Sequence, residues 1–69
     1  MLNEHEQNLV LAQIADARAE AYEHACRECE DYYEKTKSAA VRATLQKLIH
    51  HFNIMAVDAT EEAKYYSNK

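Results

Sequence analysis

The chain contains no glycine, no proline and no tryptophan. Turns rely on Gly and Pro for their backbone geometry, so this double absence argues against a sheet-rich domain or one with long loops. Long apolar runs are missing too. No stretch approaches the ~18 residues that would suggest a membrane span. The opening segment, MLNEHEQNLVLAQ, has neither the basic start nor the apolar run of a signal peptide. The expected location is therefore the cytoplasm, with no membrane as partner.

Clustered positive charge is also lacking. The formal net charge is −4 and the basic residues are scattered, so nothing here would track a line of phosphates. Nucleic acid is not an expected partner. The 2 cysteines make no disulfide framework and are expected to be reduced in the cytoplasm. There is no glycine-rich phosphate loop. Ser38 and Ser67 fall at helix ends, with nothing to mark either as an activated nucleophile. No catalytic residue is predicted.

What is present favours helix. Ala, Glu, Lys, Leu, Gln and Arg, all good helix formers, dominate the 69 residues. That length allows one domain, residues 1–69, near the size at which a lone core becomes marginal. Asn3 followed by Glu6 reads as a capping box, starting a helix at about residue 3. Ala12, Ala15, Ala19, Tyr22, Cys26, Cys29 and Tyr33 then recur at steps of three and four, the spacing of one helix face. Leu11 and Ile14 widen this stripe early, and Ala25 and Tyr32 widen it later. A second stripe runs through Val41, Leu45, Leu48, Phe52, Met55, Ala59 and Tyr66 at coiled-coil spacing, interrupted by Glu62 and broadened by Ile49, Ala56 and Ala63.

The two stripes are out of phase, and the change falls at EKTKSAA, where Thr36 and Ser38 are N-cap candidates. The prediction is an all-α antiparallel hairpin, with helices at about 3–35 and 38–66 and a turn at about 35–38. Such a hairpin brings together positions whose numbers sum to about 74, setting Tyr22 near Phe52 and Cys26 near Leu48. A two-helix hairpin buries little by itself. Ile54 and Val57 lie off the second stripe, Leu9 and Val10 lie off the first, and Tyr65 stands at the open end. These five are the candidate interface residues. The expected assembly is a homodimer forming a four-helix bundle, and the expected function is non-catalytic protein–protein interaction, with self or another protein as partner.

Two metal readings compete with that one. Cys26 and Cys29 form a CxxC pair, and a tetrahedral zinc site needs further ligands. His51 from the second helix, with His24 or His50, would be the candidates. The simpler reading is that both cysteines are small apolar residues of the inner stripe. The second metal reading is a ferritin-like carboxylate site, in which Glu20 and His24, spaced by four, would be completed between subunits. Ferritin-like bundles use Glu-x-x-His pairs, and this sequence contains none. Zinc or iron is the cofactor under these alternatives, and none is expected under the first reading.

Overall fold

The computed structural model describes residues 1–68, and among these the chain forms helix α1, Glu4–Lys35, and helix α2, Ala39–Ser67. The two lie against each other as an antiparallel hairpin, with principal extents of 53 × 15 × 14 Å. Both starts follow from local chemistry. The Glu6 N–H donates to Asn3 Oδ1 at 2.8 Å, and the Val41 N–H donates to Ser38 Oγ at 3.3 Å. Each bond satisfies a backbone donor that the first helical turn leaves without a partner. Glu4 and Glu6 meet the positive end of α1, and Lys35 lies in its last turn.

The turn dispenses with glycine because none of its residues enters the left-handed region. Thr36 and Ser38 are both extended, at φ −80° and −79°, and no described residue has a positive φ. Side chains hold it closed. Arg42 Nε donates to the Thr36 carbonyl at 3.1 Å. The Arg42 guanidinium also lies over the Tyr33 ring, 5.4 Å from its centroid, where the ring face attracts a cation. The Tyr33 hydroxyl accepts from Gln46 Nε2 at 3.2 Å.

Small residues make the seam. On α1 the buried residues are Ala12, Ala15, Ala19 and Cys26, with Tyr22, Cys29 and Tyr33 half-buried. This is the expected stripe. Leu11 and Ile14, expected to widen it, are exposed. On α2 the expected stripe holds except at Leu48. Leu45, Ala56, Ala59 and Ala63 are buried, and Val41, Ile49, Phe52, Met55 and Tyr66 are half-buried. The positions spaced by seven, Leu45, Phe52, Ala59 and Tyr66, are shared with the predicted stripe. Beside them Ala56 and Ala63, expected to broaden the stripe, are buried, while Met55 and Glu62 are half-buried, a small rotation of the inner track toward the alanines. Leu48 is 38% exposed. Two reasons account for the rotation. Ala56 and Ala63 let α2 approach the alanines of α1, and Glu62 at the centre of the seam would have buried a charge. Displaced to the flank, Glu62 instead pairs with Arg18 across the hairpin. The predicted register holds at Tyr22 and Phe52, whose rings stack at 6.3 Å.

Candidate functional site

The cysteine pair sits in the half of the hairpin nearer the turn. Cys26 is buried and Cys29 half-buried, and both are free thiols. Cys26 Sγ lies within reach of three oxygens: Asn53 Oδ1 at 3.2 Å, Glu30 Oε1 at 3.5 Å and the Ile49 carbonyl at 3.8 Å. A thiol can donate to any of these acceptors, whereas a thiolate would face only repulsion from them. Burial therefore pushes the Cys26 pKa above its ordinary value of 9.0, and the bond to Glu30 and its charge add to the shift. The thiolate is both the nucleophile and the metal-binding form, and this environment holds it back.

None of the sequence-predicted partner ligands is among the groups that meet Cys26 Sγ. His24 is on the surface, with Nε2 3.7 Å from Glu28 Oε1. His51 is exposed, its ring 5.8 Å from that of Phe52. His50 lines a shallow groove with Asn53, Ile54, Val57 and Asp58, and Glu20 is exposed. Among the described residues, no group of three or more His, Cys, Asp or Glu side chains is gathered where it could hold a metal ion. Neither Asn53 nor Glu30, the side chains that meet Cys26, is among the site residues predicted from the sequence. Glu30 lies one turn beyond Cys26, the spacing at which helical side chains meet, so that contact had a sequence signal. Asn53 had none, because its approach depends on how the two helices are rotated.

The ordered thiol predicts a split in reactivity. Iodoacetamide should modify Cys29 well before Cys26 in the native protein, with peptide mass spectrometry reporting the order. Equal rates would contradict the seam. The pH dependence has a definite sign. A thiol whose pKa is raised by folding contributes stability that is fully present below the unfolded value of about 9. That contribution is lost as pH rises toward the folded value, because the unfolded chain ionises first. Urea midpoints should therefore fall above pH ~9, and Cys26→Ala should flatten part of that fall.

The candidate interface residues Leu9, Val10, Ile54, Val57 and Tyr65 are all exposed, and the Tyr65 ring meets that of Tyr66 edge-on at 5.3 Å. Leu11, Ile14, Tyr32 and Leu48 are exposed as well. No described helix is long and apolar enough to cross a membrane. Compared with protein-family models, curated proteins and solved structures, the chain matches none.

Proposed function

We propose that this hairpin is a non-catalytic protein-interaction module, an adaptor, regulator or inhibitor, that associates with itself to form a four-helix bundle. One observation carries the reading: alanines make up most of the buried seam, and several large apolar side chains lie outside it. Among the described residues no large side chain is fully buried, while Leu9, Leu11, Ile14, Leu48, Ile54 and Val57 are exposed. A core made mostly of alanine removes little apolar surface from water, at ~25 cal/mol per Å². Exposed apolar side chains on this scale, spread along both helices, mark an interaction surface. A helical hairpin meets that need most simply by pairing with another one.

Native mass spectrometry over a range of protein concentrations tests this. The expected species is a homodimer whose mass does not change when zinc or iron(II) is added. A well-folded monomer at every concentration would overturn the self-association. Stoichiometric zinc or iron that survives desalting would favour a metal site built from Cys26, Cys29 and a histidine, or from Glu20 and His24, in place of the non-metal reading.

A further inference from the structure

The hairpin has two broad sides, and they differ in chemistry. Residues seven apart occupy one track of a helix when it lies in a bundle. Leu11, Arg18, Ala25 and Tyr32 form one such track on α1, with Ile14, Ala21, Glu28 and Lys35 on the track beside it, the last two of opposite charge. Leu48, Met55 and Glu62 form one track on α2. Arg18 and Glu62 pair across the hairpin, so these tracks border the same side. That side carries Leu11, Ile14, Tyr32 and Leu48, all exposed, together with half-buried Ala25 and Met55. Its central ion pair is neutralised within one copy.

The opposite side is acidic. On α1, Asp16, Glu23 and Glu30 share one track, and Glu20, Arg27 and Glu34 the next. Glu30 meets Cys26 from this side, along with Asn53 of α2, and a shallow groove lined by Glu23, Asn53, Val57 and Lys64 continues it onto α2. Two copies meeting here would set like charges against each other.

Resting on the reading of the hairpin as a self-associating module, we infer that a second copy of this chain covers the Leu11, Ile14, Tyr32 and Leu48 side, and not the Ile54 and Val57 surface. Area supports this occupant. The hairpin exposes 5331 Å², whereas a compact protein of 8.0 kDa is expected to expose about 4,450 Å². The excess, roughly 900 Å², is close to the ~800 Å² that each partner contributes to a standard stable interface. Charge supports it too, because the pairing side is the one a chain of net charge −4 can present to its own copy. A two-fold axis across this side sets the same patch of both copies face to face. With the hairpins antiparallel, Leu11 and Ile14 of one copy lie toward Tyr32 and Leu48 of the other. Ala21 and Ala25 lie near the axis and let the backbones approach.

The test compares solution masses by light scattering, with far-UV circular dichroism to follow helicity. Wild type and Ile54→Asp should both have twice the chain mass, and Ile14→Asp and Leu48→Asp should fall to the single-chain mass. A separate pair of variants leaves these apolar residues intact, in case an aspartate unfolds the chain. In a Cys26→Ala, Cys29→Ala background, Ala21→Cys should be cross-linked to a dimer by a short bismaleimide, and Glu20→Cys on the acidic side should not. If Ile54→Asp dissociates while Ile14→Asp and Leu48→Asp remain dimers, or if Glu20→Cys cross-links and Ala21→Cys does not, the assigned side is wrong and the dimer stands. A helical wild type that stays at single-chain mass sinks the dimer itself and leaves this side to a different protein.

Discussion

Leu45→Ala is expected to remove most of the stability of the hairpin, lowering its unfolding free energy by about 2–5 kcal/mol. Leu45 is the one leucine among the buried residues described, at 9% exposure. It stands where the α1 stripe has reached Cys29 and Tyr33, so its side chain fills space that alanines fill elsewhere along the seam. Truncation leaves a cavity that two straight helices cannot easily close, and the lost transfer energy adds to the cavity term. A chain of 69 residues has roughly 3–10 kcal/mol in all. Urea titration followed by far-UV circular dichroism, at fixed protein concentration, measures the change. Ile54→Ala is the control, because Ile54 is 48% exposed and lies away from both the seam and the inferred pairing side. It should shift stability by no more than about 0.5 kcal/mol. Equal midpoints for the two variants would mean that Leu45 is not seated in the seam.

The second large effect runs in the opposite steric direction. Ala15 is 0% exposed, held between Ala12 and Ala19 on the α1 face that meets α2. Ala15→Leu adds three carbons at a fully buried position of the seam and should cost about 1–3 kcal/mol through overpacking. The same substitution at exposed Ala17 should be nearly silent, since leucine and alanine are both strong helix formers. Ala15→Gly separates the two contributions. It creates no clash and should cost about 1 kcal/mol from helix propensity. An unchanged or raised midpoint for Ala15→Leu would show that the alanine stripe is not a close helix–helix contact.

Both predictions depend on α2 presenting Ile49, Ala56 and Ala63 to the seam, a choice that periodicity leaves open. The track of Leu48, Met55 and Glu62 and the track of Ile49, Ala56 and Ala63 both keep heptad spacing with Leu45, Phe52 and Ala59. On apolar character alone the first looks better, but for Glu62. Two quantities outside the α2 sequence separate them: the closeness at which α1 accepts a partner, and the availability of Arg18 to receive Glu62 at the flank. The consequence for function is direct. With Leu48 at 38% exposure, the inferred pairing side lies beside the seam and spans both helices. The candidates Ile54 and Val57, read from the sequence as the outward set, are exposed on α2 near His50 and Asp58, away from the inferred pairing side.

The sequence by itself determined what is local. The two helices, their starts at Asn3 and Ser38 and the break between them follow from caps and phase. Those signals act over one or two turns and need no partner helix. The α1 inner stripe was legible for the same reason, since only one face of that helix offers a continuous run of small residues. The tertiary structure alone decided the rotation of α2 about its axis, and with it the Arg18–Glu62 pair, the Ile49 and Asn53 oxygens beside the Cys26 thiol and the placement of Leu48 outside. Each of these depends on contacts between residues more than twenty positions apart in the chain. Close approach of alanine faces and the cost of burying a charge fix them, and neither can be read from one helix at a time.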